Sequence, residues 1–498
     1  MRTLLNNGRV RSPGDPGADA LLVEGDRVAW VGDGALAPAA DAVVDLGGAW
    51  VAPAFVDAHV HATSTGLALT GLDLSGAPSL AVALDRVAAA ARTARGGAVL
   101  GTGWDDTMWP EARPPTAAEL DRASYGGVVY LARTDVHSAV VSSALLAAVP
   151  EARHADGFLA DGLVRTDAHH LIRRAAYEAV TPGQRRTAQI AALDRAAALG
   201  IAAVHECGGP DIAGEADFVA LLALPHLVQV VGYWGELDGV QRASELGAHG
   251  AAGDLFADGS FGSHTACVSA SYADVPDLRG HAYVDVEQVE RHVVASTRAG
   301  LQAGFHAIGD AALEVVLAGY EAAARQVPVR GARHRIEHAE ALSATQIGRA
   351  AALGIVASVQ PAFDARWGGP AGMYATRLGQ ERAATLNPYA ALAAAGVPLA
   401  LGSDSPVTPL DPWGTVRAAV QHRTPGSGLD PQVAFAAHTR GGWYAAGRDG
   451  TGTLTPGSPA TFAVWELSGP LVDGLPDLAG PDPLCRGLTV DGQASWFG

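Results

Sequence analysis

The chain has no lysine. All 34 of its basic residues are arginine, so no step of its chemistry can rest on a lysine side chain. Cysteine is scarce as well: Cys207, Cys267 and Cys485 show no paired spacing, and three cannot all pair with one another. That excludes a disulfide framework and favours a reducing compartment. No uncharged apolar run reaches membrane-spanning length, and the start, Met1-Arg2-Thr3-Leu4-Leu5-Asn6-Asn7-Gly8, lacks the apolar stretch of a secretory signal. A cytoplasmic protein is the expectation. Positive charge is also in deficit, with a formal net charge of −18. Nucleic acids and anionic membranes, which demand a basic patch, are disfavoured partners. Small molecules are expected instead, and assembly into homo-oligomers is left open.

What is present is a long, alanine-rich chain of 498 residues with 48% hydrophobic content, enough for one large barrel and a smaller attached domain. Four times a helical stretch ends in Gly and runs straight into an apolar strand: Leu199-Gly200-Ile201, Ala299-Gly300-Leu301, Leu353-Gly354-Ile355 and Ala395-Gly396-Val397. Glycine just past a helix takes the left-handed conformation that closes it, and strands apolar throughout have both faces covered. Candidate strands fall near 51–57, 201–206, 227–233, 252–257, 301–306, 333–338, 354–360 and 398–403. Eight parallel strands separated by helices predict an α/β chain folded as a (β/α)8 TIM barrel, active at the strand C-terminal ends. The gap after the first strand is too long for one crossover helix, so about 64–195 is read as an insertion roofing the barrel mouth. A hairpin turning at Gly25-Asp26 and a late strand, Thr461-Phe462-Ala463-Val464-Trp465, predict a small composite β domain. Its expected bounds are 1–50 plus 445–498, around a barrel of 51–444.

His59-Val60-His61 ends the first predicted strand. Side chains i and i+2 of a strand point the same way, so two imidazoles can grip one cation. His306, His338 and Asp404 fall at later strand ends. Several such groups converging on one barrel mouth are hard to explain structurally, because uncompensated polar groups there cost several kcal/mol each. Imidazole with carboxylate suits zinc, iron or manganese. His205-Glu206 ends the second strand and is a candidate for substrate contact; Trp104, Trp109 and Trp367 are candidates for an apolar wall.

The chain resembles the amidohydrolase superfamily, specifically the amidohydrolase-3 group that includes N-substituted formamide deformylases. The resemblance spans nearly the whole length. It rests on Val56-Asp57-Ala58-His59-Val60-His61, Leu72-Asp73-Leu74-Ser75-Gly76, Gly103-Trp104-Asp105-Asp106 with Trp109-Pro110, and Phe256-Ala257-Asp258-Gly259-Ser260. It continues through His306-Ala307-Ile308-Gly309-Asp310, Ile336-Glu337-His338 and Gly402-Ser403-Asp404-Ser405-Pro406-Val407. It implies that His59, His61, His306, His338 and Asp404 occupy the family's metal positions. Arg133-Thr134-Asp135-Val136-His137-Ser138 resembles a family segment with Gly where Val136 stands, which makes Asp135 and His137 candidates for substrate contact.

One departure stands out. Many relatives carry a carboxylated lysine bridging two metals where this chain has Asp254. An aspartate carboxylate stops about 4–5 Å short of a lysine carbamate by ordinary bond lengths. One divalent metal, expected to be zinc, is therefore favoured over two. His59, His61, His306 and Asp404 would hold it, with His338 beside its water and Asp254 as a further candidate ligand. The expected activity is hydrolysis of a C–N bond, of an amide or N-substituted formamide, with Asp404 as proton shuttle and His338 as the second catalytic group. The alternatives are a deaminase or cyclic-amide hydrolase using the same site, and a catalytically silent metal-bound regulator.

Overall fold

The computed structural model describes residues 1–106, 109–133 and 138–497. Two compact units share the chain: Met1–His61 with Leu193–Gly498, and Ala62–Ala192.

In the larger unit eight strands pair in sequence order: β1 (Phe55–Val60), β2 (Ile201–Gly208), β3 (Gln229–Trp234), β4 (Gly250–Ala251), β5 (Gln302–Ala307), β6 (Arg335–His338), β7 (Val356–Val359) and β8 (Leu399–Leu401). All the pairings are parallel. The Asp404 N–H donates to His59 O at 2.8 Å and the His61 N–H to Ser405 O at 2.9 Å, joining the chain beyond β8 to β1. The fold is a (β/α)8 barrel. Glycines 200, 300, 354 and 396 all have left-handed backbones, with φ of 72°, 73°, 70° and 76°. The helices before Gly300 and Gly354, α1 (Val286–Arg298) and α2 (Ala344–Leu353), both begin with reciprocal capping boxes, Asp285 with Gln288 and Ser343 with Gln346.

Two strand boundaries differ from the sequence expectation. The run 51–57 divides at Ala54: Trp50–Pro53 pairs antiparallel with Phe462–Glu466, and only from Phe55 does the chain enter the barrel. Pro53 lacks the N–H that would carry the first ladder further. The fourth strand is Gly250–Ala251, not 252–257. It breaks at Gly253, whose φ of +87° departs from any strand, and pairing resumes where the His306 N–H donates to Leu255 O and the Ala257 N–H to His306 O. The break sits against β2 and β3, since a side chain at Gly253 would come within 3.1 Å of Cys207 Cβ and 3.2 Å of Tyr233 Cβ.

Trp50–Pro53 and Phe462–Glu466 belong to a five-stranded sheet with Arg9–Val10, Leu484–Val490 and Gln493–Trp496. Arg2–Asn6, Ala20–Glu24, Arg27–Gly32 and Ala42–Asp45 form a separate four-stranded sheet. Phe55 anchors β1 among Trp413, Phe435 and Trp465, with ring centroids 5.0, 5.4 and 5.8 Å away. Truncating a buried aromatic of this kind costs about 3–5 kcal/mol. The smaller unit has its own five-stranded sheet, ordered Leu163–Arg165, Ser138–Val141, Val129–Arg133, Val99–Trp104, Leu72–Asp73, with helices that include Leu80–Ala94 and Thr166–Glu178. Among the described residues no helix is long and apolar enough to cross a membrane.

Candidate metal centre

Strand ends of the barrel bring six side chains to one point. His59 lies on β1 and His61 just beyond it; Asp254 follows the Gly253 break, His306 lies on β5, His338 ends β6, and Asp404 follows β8. Asp254 Oδ1 is 3.4 Å from His59 Nε2, 3.6 Å from His306 Nδ1 and 3.7 Å from His338 Nε2, while Oδ2 is 3.2 Å from His61 Nε2. Asp404 Oδ1 is 3.1 Å from His61 Nε2 and 3.6 Å from His59 Nε2. All six residues are buried.

Local structure holds three of the four imidazoles in one orientation. His59 Nδ1 donates to Glu337 Oε2 at 3.0 Å, His338 Nδ1 to Gln360 Oε1 at 2.8 Å, and His306 Nε2 to Gly259 O at 3.2 Å. In each ring the other nitrogen faces the cluster. Such outer partners fix the tautomer of a ligating histidine. Glu337 is itself clamped by Arg335 and held well below the usual carboxylate range: burial pushes it up, but the Arg335 charge and the bond from His59 outweigh burial. Burial likewise opposes charge on Asp254, yet the imidazoles of His59, His306 and His338 beside it keep its carboxyl well below 3.8. His338 and Asp404 sit at positive φ, +68° and +55°. Left-handed backbone at non-glycine residues is strained and clusters at functional sites. Gly402 lets β8 close on β1, since a Cβ there would stand 2.6 Å from His59 N.

His59 Nε2, Asp254 Oδ1, His306 Nδ1, His338 Nε2 and Asp404 Oδ1 are buried and have no hydrogen-bond partner. Five polar atoms left this way cost several kcal/mol unless a cation takes them. Zinc ligands at about 2.0–2.1 Å in a tetrahedron stand about 3.4 Å apart. The four separations of the Asp254 and Asp404 carboxylates from His59 Nε2 and His61 Nε2, 3.1–3.6 Å, fit that spacing. Two sets, His59 with His61 and Asp404, and His59 with Asp254 and His338, each have donor atoms within 4.8 Å of one another. The donor set therefore fits a divalent transition metal.

The sequence profile of the amidohydrolase family matches residues 42–493. The chain belongs to the amidohydrolase family. This amidohydrolase is 29% identical to the protein LONG AFTER FAR-RED 3 of Arabidopsis thaliana, over 93% of this chain and 86% of that one. It is 26% identical to the N-substituted formamide deformylase of Arthrobacter pascens, over 90% of each chain. An uncharacterized metal-dependent hydrolase from Pyrococcus furiosus has a similar structure, with a TM-score of 0.80 and 27% identity over 93% of this chain and 98% of that one. Membership makes the protein a metal-dependent hydrolase of C–N bonds.

Several residue expectations for the amidohydrolase change in the structure. Asp254, the further candidate ligand, reaches the cluster because the backbone approaches: the Gly253 break turns the chain inward, and Gly235, where a Cβ would stand 2.7 Å from Asp254 C, leaves it room. Asp254 contacts both His59 and His61, and His306 Nδ1 stands 3.6 Å from the same carboxylate. His205 is not at the mouth. It is fully buried beside Arg335, whose Nη1 donates to His205 Nδ1 at 2.8 Å, and burial followed by the Arg335 charge keeps the imidazole neutral. Trp104 is no pocket wall: its indole N–H donates to Leu131 O at 2.8 Å and its ring packs near Trp109 in the small unit's core. Asp135 and His137 lie outside the described residues. The sequence reading missed Glu337, Gln360 and Arg335 as supports. Their signal was present, since Arg335 and Glu337 are two opposite charges at i, i+2 on one face of a predicted barrel strand and must find partners.

Proposed function

We propose that this amidohydrolase hydrolyses an amide, with N-substituted formamides as the favoured substrates and zinc as the metal. The convergence of five buried, unpartnered donor atoms carries the reading. The likeness to a protein named N-substituted formamide deformylase supports the substrate class. His59, His61, Asp254 and Asp404 would hold the tightly bound ion; His306 and His338, which share Asp254 with them, would offer only a weaker second position. When bound, such an ion acidifies a coordinated water and polarises the scissile carbonyl.

The chain's own groups do the rest. Asp404 accepts the proton of the attacking water and returns it to the departing nitrogen, because its carboxylate stands beside the metal position. His338, with its Nδ1–H engaged by Gln360, has an acceptor at Nε2, so it orients the water rather than donating to an oxyanion. Phe363 stacks on His338 with centroids 5.9 Å apart, and the half-buried Trp367 lies 4.8 Å further on. Apolar substituents on the substrate fit that surface. Three free thiols, Cys207, Cys267 and Cys485, accord with work in the cytoplasm.

The test combines elemental analysis of the purified protein with assays for formate, ammonia and amine released from a panel of formamides, other acyclic amides and cyclic amides. Formate with an amine from formamides is expected. Ammonia release alone, or opening of cyclic amides alone, would reject the formamide reading, and no divalent metal would reject the site.

A further inference from the structure

A cavity of about 790 Å³ opens beside Trp50 and Pro53, which lead into β1; His59 and His61 stand at and just beyond that strand's other end. Its size falls within the range of small-molecule sites, about 300–1,000 Å³. Val10, Trp50, Phe435 and Leu471 give it apolar surface. Arg9, Arg11 and Arg440 also line it, and among the described residues none of the three pairs with a carboxylate. Arg9 donates through Nε and Nη2 to Gly48 O at 3.2 and 3.1 Å. Arg11 lies over Phe435, 5.1 Å from guanidinium carbon to ring centroid, and donates to Gly474 O at 2.9 Å and to Gln432 Oε1. Burial without a counter-ion pulls its pKa below the ordinary arginine value. The exposed Arg440 guanidinium has no partner at all among the described residues. Two acids, Asp19 and Asp473, share the lining, and Asp19 is already engaged by the Gly34 N–H at 2.6 Å. Three arginines against two acids leave the cavity positive in a chain whose net charge is −18.

We propose that this cavity is a second binding site, separate from the metal centre, for a small organic carboxylate whose apolar body packs against Trp50 and Phe435 and whose charge is taken by Arg440 and Arg11. A guanidinium presents a planar fork of donors that matches a carboxylate, and the fork of Arg440 is wholly free. Arg11 supplies a partly desolvated charge that lacks an anion, so a carboxylate there gains more than it would at an open surface. A neutral ligand would leave both charges unmatched, and a cation would meet the arginine excess. Phe435 also packs on Phe55, with ring centroids 5.4 Å apart, so the occupant would rest against the ring cluster that anchors β1.

Benzoate is the probe, titrated calorimetrically into the full chain, with benzamide as its neutral counterpart and inorganic phosphate as an anion without an apolar body. The same titrations are run on Arg440→Gln and Arg11→Gln/Arg440→Gln, with melting temperature alongside. Wild type should bind benzoate saturably and the other two probes at least about 10-fold more weakly. A hydrogen bond to a charged group is worth enough that each guanidinium removed should weaken benzoate about 10-fold. Arg440 has no partner to leave unsatisfied, so its variant should melt as wild type does. A carboxylate can also bind a metal, and the double variant separates the two places. Affinity in it within about threefold of wild type would put benzoate elsewhere, the metal centre included, and overturn the inference. No benzoate binding by wild type overturns it too, as does benzamide or phosphate binding as tightly as benzoate. Should the double variant not fold, Arg440→Gln alone decides by the same threefold limit.

Discussion

Asp404→Asn tests the proton-transfer step without disturbing the backbone that carries it. Asp404 has φ +55°, a left-handed conformation that asparagine tolerates nearly as well as aspartate, whereas alanine would add strain. Its N–H donates to His59 O at 2.8 Å, a main-chain bond that the substitution leaves intact. The side chains are isosteric, so an amide oxygen can still stand where Oδ1 lies, 3.1 Å from His61 Nε2. What is lost is the capacity to accept a proton. General acid–base assistance is typically worth about 10²–10⁴-fold, which is about 2.7–5.4 kcal/mol of barrier. Turnover should fall by that factor or more while KM changes little. Because asparagine is also a poorer ligand, kcat, KM and metal content must be read on the same preparation. A fully metallated Asp404→Asn enzyme with near-normal turnover would refute the assignment and pass the role to another group.

Changing His59 and His61 together to Ala should abolish metal binding and activity; unchanged metal content by elemental analysis would remove the central claim. Anomalous scattering at the metal edge should find one fully occupied position per chain, and two equally occupied ones about 3.5–4 Å apart would show that Asp254 bridges a pair. Gly402→Ala should destabilise the fold by about 1–3 kcal/mol and lower metal content, since its Cβ would meet His59 N at 2.6 Å; a wild-type melting curve and metal load would contradict this. His334 and His438, both pushed down to about 4 mainly by burial, remain neutral in the fold while the unfolded chain binds protons below about 6.5. Their stabilisation is present above that value and is lost as pH falls toward 4, by on the order of a few kcal/mol. The melting temperature of His334→Gln/His438→Asn should depend less on pH over that interval than wild type, and an unaltered slope would discount both histidines.

The order of strands and helices was legible in the chain because it depends on local chemistry: helix-closing glycines, apolar strands covered on both faces and a gap too long for one crossover. The identities of His59, His61, His306, His338 and Asp404 were legible for a related reason, since polar groups at the ends of apolar strands need partners. Their meeting was not a local property, and neither was the reach of Asp254. A period of two tells which face of a strand a side chain takes, but not its depth in a closed barrel. His205 has the parity of a site residue, yet closure sets it beside Arg335 in the core. Trp104 similarly follows the packing of its own unit. Asp254 reached the histidines through a break at Gly253 that no residue pattern dictates, because the space for it exists only where β2, β3 and Gly235 come together. Tertiary structure decided these points because register, closure and close backbone approach depend on residues far apart in the chain.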